Sequence, residues 1–78
     1  MMRGMSDPVD VPITGEPIRL GQFLKLAGLA EDGSHAKDLI DAEEVTVNGE
    51  VETRRGRQLA DGDVVAVGNE EARVSLEH

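Results

Sequence analysis

The chain of 78 residues contains no cysteine, tryptophan or tyrosine, and Phe23 is its one phenylalanine. The absence of cysteine excludes a disulfide framework and a thiolate metal site, and it is typical of a reducing compartment. Because Phe23 is expected to fill the centre of the core, no aromatic ring is left to stack on the bases of a nucleic acid.

Long hydrophobic runs are also missing. No apolar run is longer than Val64–Val67, whereas a helix that spans a bilayer needs about 20 apolar residues. The N-terminus has no hydrophobic signal core. We therefore expect a cytoplasmic protein with no membrane partner. A chain of this length forms at most one domain with a small core, because it buries only about 60% of its unfolded surface.

Residues suited to catalysis are scarce. The serines are Ser6, Ser34 and Ser75, none of them in a nucleophile motif, and His35 is the one histidine apart from the C-terminal His78. The carboxylates are scattered and lack the spacing of a metal site. We therefore expect no enzyme, no cofactor and no metal. The simplest interpretation of His35 is an exposed residue in the first turn of a helix.

The charged residues are mainly acidic, because 16 acidic residues outnumber 8 basic ones and the net charge is -8. Such a balance argues against a nucleic-acid binder with an overall basic surface. However, Arg54, Arg55 and Arg57 lie within four positions, and charges act mainly within a Debye length of about 8 Å. The alternative is that the three arginines only form ion pairs with Glu50 and Glu52. Exposed ion pairs contribute about 0 to 1 kcal/mol each, so stability gives little reason to place three arginines together. A binding role is the favoured hypothesis.

The arginines follow a predicted hairpin. Val45, Val47 and Val51 alternate with polar residues, which predicts a buried valine face, and Asn48-Gly49 favours a two-residue type I′ turn. The turn signal Ala60–Asp63 then precedes Val64–Val67, which we expect to close the sheet. The sequence leaves residues 73–75 either as a short terminal strand or as a frayed end.

Two short helices are predicted before the hairpin. Leu20, Phe23, Leu24 and Ala27 have the i, i+3, i+4, i+7 spacing of a helix, and Gly28 should end it in the left-handed conformation. Ser34 is expected to cap a second helix that runs to about residue 42. The predicted fold class is α+β, with two short helices packed on a small, mostly antiparallel sheet.

The remaining segments define the expected domain. Residues 1–10 lack apolar periodicity and are predicted to be a disordered leader, and residues 76–78 resemble the remnant of an affinity tag, which leaves one domain over residues 11–75. Within it, residues 11–14 and 17–19 are expected to form a two-stranded ribbon. The prolines in both arms confine such a ribbon to a sheet edge.

The start of the second helix is a candidate anion site, because unpaired N–H groups and a partial positive charge lie there. The basic residues of the first helix and of the arginine cluster would extend the same surface, although spacing alone does not establish that they converge. The complete predicted binding set is Arg19, Lys25, Ser34, His35, Lys37, Arg54, Arg55 and Arg57.

Four segments in a fixed order resemble the S4-like RNA-binding domain in its small stand-alone bacterial form. They are Ile18–Lys25, Gly33–Ile40, Val45–Gly56 and Gly62–Val65. The resemblance implies two helices on a small sheet and binding of structured RNA, such as ribosomal or transfer RNA, through the helix pair and the adjoining loop. By position it implies the same RNA-facing residues as the predicted set.

Three positions depart from the family pattern, and at two of them many members have arginine in place of His35 and aspartate in place of Gly21. Glu43 stands where a glycine commonly ends the second helix, and a residue other than glycine costs about 1 kcal/mol in the left-handed conformation. Two other functions stay open. The hairpin and Leu59–Val65 also resemble ubiquitin-like sulfur carriers, although those end in Gly-Gly, and the acidic surface suits a module that docks a basic protein. We expect a monomer.

Overall fold

The computed structural model describes residues 9–14 and 18–77. The elements in chain order are β1 (Val9–Thr14), α1 (Leu20–Leu26), α2 (Gly33–Asp41), β2 (Val45–Val47), β3 (Glu50–Val51), β4 (Val64–Val67) and β5 (Glu70–Glu77). The strands form one sheet in the order β1-β5-β4-β2-β3, in which β1 and β5 are parallel and the other neighbours antiparallel. The predicted α+β class is confirmed.

The core lies between the helix pair and the sheet. From α1 it takes Leu20, Phe23 and Leu24, each fully buried, and from α2 it takes Ala36 and Ile40. The sheet contributes valines and other apolar residues, namely Ile13, Val45, Val47, Val65, Ala72 and Val74. Phe23 lies in the core as predicted, where burying such a side chain stabilises the fold by about 1.5 to 3 kcal/mol.

Helix α1 ends as its sequence predicts. Gly28 has a φ of 78°, and its N–H donates to the carbonyl oxygen of Lys25 at 3.1 Å. The N–H of Leu29 then donates to the carbonyl oxygen of Leu24 at 2.9 Å. The positive φ turns the chain back over the last turn, so the carbonyl groups at the helix end find donors and Leu29 packs against the core.

Helix α2 begins earlier than predicted. Its N-cap is Asp32, whose Oδ1 accepts the N–H of His35 at 2.8 Å, so Ser34 lies inside the helix and not at its cap. Aspartate and serine are almost equally good N-caps, and the sequence offered both within three positions. At the other end Glu43 has a φ of 62°, the left-handed conformation expected where the family usually has glycine.

The hairpin has the predicted turn but not the predicted face. Asn48 and Gly49 have φ values of 54° and 88°, as a type I′ turn requires. This turn pairs Val47 with Glu50 and therefore Thr46 with Val51. Residues paired across two antiparallel strands lie on the same face of the sheet. Val51 therefore lies with Thr46 on the face that points away from the core, and it is 53% exposed.

The two ends of the chain form the far side of the sheet. Strand β1 pairs with β5 in register from Val9 with Ala72 to Thr14 with Glu77. Arg19, of the predicted second arm, pairs with Gln58 and not with β1, and residues 15–17 lie outside the described residues. Strand β1 is an edge strand, as its proline requires. Strand β4 is central and does not close the sheet, because β5 and β1 follow it.

These pairings move both expected boundaries. Val9 and Asp10 belong to β1 and not to the predicted leader, whereas residues 1–8 lie outside the described residues. Leu76 belongs to β5 and packs against the core, although the sequence suggested a tag remnant. In the part of the chain that the structure covers, no helix has the length and hydropathy needed to span a membrane.

Candidate functional site

The arginine loop, residues 53–58, lies against the start of α1. The N–H of Gly21 donates to the carbonyl oxygen of Arg55 at 3.2 Å, and the N–H of Leu20 donates to that of Arg57 at 2.9 Å. A β-bridge also joins Arg19 to Gln58. Because helix N–H groups of the first turn have no partner within the helix, the loop satisfies them and is held in place beside α1.

This docking creates a cleft between α1, the start of α2 and the arginine loop. The cleft has a volume of about 370 Å³ and is lined by Arg19, Gly21, Gln22, Lys25, Gly33, Arg55 and Gly56. Three exposed cations, Arg19, Lys25 and Arg55, therefore line the same cleft although they come from two segments distant in sequence. We call this cleft the basic cleft. Within residues 9–14 and 18–77, no carboxylate forms a salt bridge with any of the three.

The other two arginines of the loop are bound to Glu52. Its Oε2 accepts the backbone N–H of Arg54 at 3.1 Å and the Nε of the same residue at 3.0 Å, while its Oε1 accepts Nη1 of Arg57 at 2.9 Å. Glu52 is 7% exposed, the one charged residue among the buried positions described. Hydrogen bonds from Arg54 and then Arg57 lower the pKa of Glu52 from 4.5 to about 2.

Pairing with Glu52, the alternative explanation of the arginines, is what the structure shows for Arg54 and Arg57. The burial of Glu52 was not predicted, although the hairpin contained the signal. A two-residue turn at Asn48-Gly49 places residue 52 opposite Val45, and the N–H of Glu52 does donate to the carbonyl oxygen of Val45 at 3.0 Å. Cross-strand partners share a face, and Val45 is fully buried. A carboxylate that must lie on the core side requires partners there. The nearest cations in the sequence are the three arginines of the loop, of which Arg54 and Arg57 bind Glu52.

The predicted anion site at the start of α2 is filled by the protein itself. The Asp32 carboxylate accepts the N–H of His35, in the place that a bound anion would take. Nδ1 of His35 accepts the N–H of Glu31 at 2.9 Å, so this half-buried ring takes part in the loop before the helix. Ser34 is exposed, and Gly33 is the one residue of this turn that lines the basic cleft.

Lys37 lies farther along α2 and is paired. Its Nζ is 2.9 Å from Oδ2 of Asp41, one turn later, and both side chains are more than half exposed. Of the eight predicted binding residues, the structure thus brings Arg19, Lys25 and Arg55 together in one cleft and places Arg54 and Arg57 beside it on Glu52. Of the other three, Ser34 is exposed, His35 accepts the N–H of Glu31, and Lys37 pairs with Asp41. Among the residues that the structure describes, no group of histidines and carboxylates is arranged to hold a metal ion.

Comparisons with known proteins agree with this architecture. A family model described as the S4 domain matches residues 11–75. The chain is 46% identical over 63 residues to a Bacillus subtilis (strain 168) protein named "Probable ribosome maturation protein RlbA", which covers 81% of this chain and 86% of that one.

Among solved structures, the solution structure of YbcJ from E. coli is 32% identical, with a TM-score of 0.71 over 96% of each chain. That structure is described as revealing an alfaL motif involved in RNA-binding. The resemblance inferred from four sequence segments is therefore confirmed, and the chain belongs to the S4 domain family.

Proposed function

We propose that this protein is a non-catalytic RNA-binding module that holds structured RNA in the basic cleft. The observation that carries the proposal is the meeting of Arg19, Lys25 and Arg55 on one exposed surface of a protein with a net charge of -8. The RNA-binding motif ascribed to the E. coli relative YbcJ supports it. A sulfur-carrier function has no comparable support, since the family match is to the S4 domain.

The chemistry of the cleft suits phosphate recognition. Arginine offers a planar fork of donors that can bind two phosphate oxygens at once, whereas lysine acts as a compact point charge. Arg55 is fixed through its backbone carbonyl, which accepts from α1, so its side chain starts from a defined position. The cleft therefore recognises the spacing of phosphates on a folded RNA, and not base edges or stacked bases.

The acidic remainder of the molecule contributes to selectivity. Arg73, which lies on the far side of the sheet, is 2.7 Å from Oδ1 of Asp10 and so forms an ion pair there. Repulsion from the acidic surface limits non-specific attraction to RNA, because binding needs phosphates that reach the cleft itself. The name of the B. subtilis relative favours ribosomal RNA as the partner. Transfer RNA is a second candidate. We propose that the protein acts as a cytoplasmic monomer.

The test is a titration of labelled structured RNA against Arg55→Ala and the matched control Arg73→Ala. Both variants remove one arginine and one positive charge, but Arg55 lines the cleft and Arg73 is paired on β5. We expect Arg55→Ala to weaken binding about tenfold, the effect of losing one charge-assisted contact worth about 1.5 kcal/mol. We expect Arg73→Ala to change affinity less than twofold.

Salt dependence provides an independent measurement of the same contacts. Each phosphate that the protein neutralises contributes about 0.7 to 0.9 to the slope of log affinity against log salt. Three cleft cations predict a slope of about 2 to 3 for the wild type, and Arg55→Ala should lower it by nearly one. Equal losses for both arginine variants would show that only net charge matters and would contradict the cleft.

A basic protein partner is the competing function for an acidic module of this size. Retention of a partner from cell extract after ribonuclease treatment, together with no affinity for folded RNA in the titration, would favour it. Loss of the partner on ribonuclease treatment would agree with the RNA proposal.

A further inference from the structure

Glu52 occupies a position from which it can act on the arginine loop as well as on stability. It is a buried carboxylate at the base of the arginine loop, and it accepts hydrogen bonds from two of the three loop arginines. The third, Arg55, lies between them in sequence and forms no salt bridge within the described part of the chain. One carboxylate thus holds two of the three loop arginines, although Arg54 stays 76% exposed, and leaves Arg55 to line the cleft.

We infer that Glu52 is a positioning residue for anion binding: by holding Arg54 and Arg57 it fixes the arginine loop so that Arg55 enters the cleft. The inference rests on the proposed function, because it assigns the phosphate contact within the loop to Arg55. It also has an unusual consequence. Removing this negative charge should weaken the binding of RNA, although simple electrostatics predicts stronger binding.

The backbone explains how Glu52 acts at a distance. The loop meets α1 through the carbonyl groups of Arg55 and Arg57, at 3.2 and 2.9 Å from the N–H groups of Gly21 and Leu20. The Arg54 backbone N–H is itself bound to Glu52, and Arg57 is anchored through its guanidinium. Positions 54 and 57 are therefore fixed on both sides of Arg55, and the order of the loop depends on one carboxylate that the hairpin register holds in place.

The chain offers a matched control two residues away. Glu50 lies in β3, which ends just before Glu52, and is exposed, and in the described residues it forms no salt bridge. Glu52→Gln and Glu50→Gln change the net charge equally. We expect Glu52→Gln to weaken the binding of a structured RNA about three- to tenfold, whereas Glu50→Gln should leave it unchanged or strengthen it up to about twofold through reduced repulsion. A gain of affinity in both variants would overturn the inference.

A double-mutant cycle separates positioning from general damage. If Glu52 acts through Arg55, Glu52→Gln should lower affinity in the wild type but have no effect beyond about twofold in the Arg55→Ala background. An equal loss in both backgrounds would mean that Glu52 supports the whole structure and not the placement of Arg55. Glu52→Asp keeps the charge but shortens the side chain by one methylene, so it should give an intermediate affinity and can replace Glu52→Gln if that variant fails to fold.

Amide hydrogen exchange tests the inference without RNA. Glu52→Gln should speed exchange at Gly21 and Leu20, whose N–H groups bind the loop, by about tenfold or more beyond any change at Val65 in the central strand, which reports global unfolding. Unchanged exchange at Gly21 would overturn the positioning role. If the wild type binds no structured RNA, the proposed function fails, but faster exchange at Gly21 would still show that Glu52 fixes the loop.

Discussion

The arginine loop and the start of α2 both have the sequence features of an anion site, and each directly follows an acidic residue, Glu52 and Asp32 respectively. In the loop, Glu52 lies beneath the arginines, is buried, and leaves Arg55 facing the cleft. At α2, Asp32 lies in front of the helix and occupies the N–H of His35. The two regions differ in where the carboxylate lies relative to the donors. In the loop it lies behind them, and at α2 it lies in front of them, where an anion would bind.

The comparison shows why counting basic residues is a poor guide to a binding surface. A carboxylate behind a set of cations can orient them without covering all of them, whereas a carboxylate in front of donors takes the place of the ligand. The decisive quantity is burial, because Glu52 is 7% exposed and Asp32 lies at the surface. The experiments below test whether this difference holds in solution.

The largest expected effect concerns stability. Glu52→Ala should lower the free energy of unfolding by about 1.5 to 3 kcal/mol, because it removes the charge-assisted hydrogen bonds from Arg54 and Arg57. Asp32→Ala removes only an exposed N-cap and should cost about 1 kcal/mol. Urea denaturation of both variants, with Glu50→Ala as an exposed control expected within about 0.5 kcal/mol of the wild type, measures the order. A greater loss for Asp32→Ala would reverse the comparison.

Acid should distinguish the buried carboxylate next. The pKa of Glu52 is about 2 in the folded protein against an ordinary value of 4.5, so below pH 4.5 the unfolded chain binds the proton more readily. The stabilisation from Glu52 is thus complete above about pH 4.5 and is lost as the pH falls towards 2. In urea melts between pH 6 and pH 2.5, the stability difference between wild type and Glu52→Gln should shrink. A constant difference would mean that the Glu52 pKa is not lowered.

A smaller effect is expected where α2 ends. Glu43 has a φ of 62°, so Glu43→Gly should raise the free energy of unfolding by about 0.5 to 1 kcal/mol by relieving the left-handed conformation. Glu44→Gly makes the same change of charge one residue later, at a position without a positive φ, and should not stabilise. Thermal melts of the two variants give the comparison. Stabilisation by both would point to charge repulsion and not to backbone strain.

The smallest expected effect is that of Lys37→Ala. The pair with Asp41 is exposed, and such pairs on one helix contribute about 0.3 to 0.5 kcal/mol. Because Lys37 does not line the basic cleft, we expect its loss to change the affinity for structured RNA less than twofold in the titration used for Arg55→Ala. A tenfold loss would place α2 in the binding surface, as the sequence predicted.

Local signals in the sequence predicted the parts of the fold that depend on neighbours in the chain. The apolar spacing of α1, its end at Gly28 and the turn at Asn48-Gly49 each have a cause within a few residues, and each is found in the structure. The burial of Glu52 also has a local cause, because the two-residue turn fixes which residues of β2 and of the segment after the turn lie opposite each other. It was missed because valine alternation was assumed to continue through the turn, whereas the type I′ turn places Val51 on the outer face.

Pairings between distant segments could not be predicted in the same way. Strand β1 joins β5 across more than 60 residues, and its sequence fits an edge strand without naming the neighbour. The choice of cap at α2 was also undetermined by the sequence, because Asp32 and Ser34 have similar cap preferences.

For the candidate site, the sequence by itself determined which basic residues are available, that three of them follow a hairpin, and that no exposed aromatic ring accompanies them. Only the tertiary structure decided that Arg55 meets Arg19 and Lys25 while Arg54 and Arg57 are held by Glu52. The physical reason is that an arginine side chain can point in several directions from the same backbone position. Its choice depends on a carboxylate and a helix end that folding brings beside it.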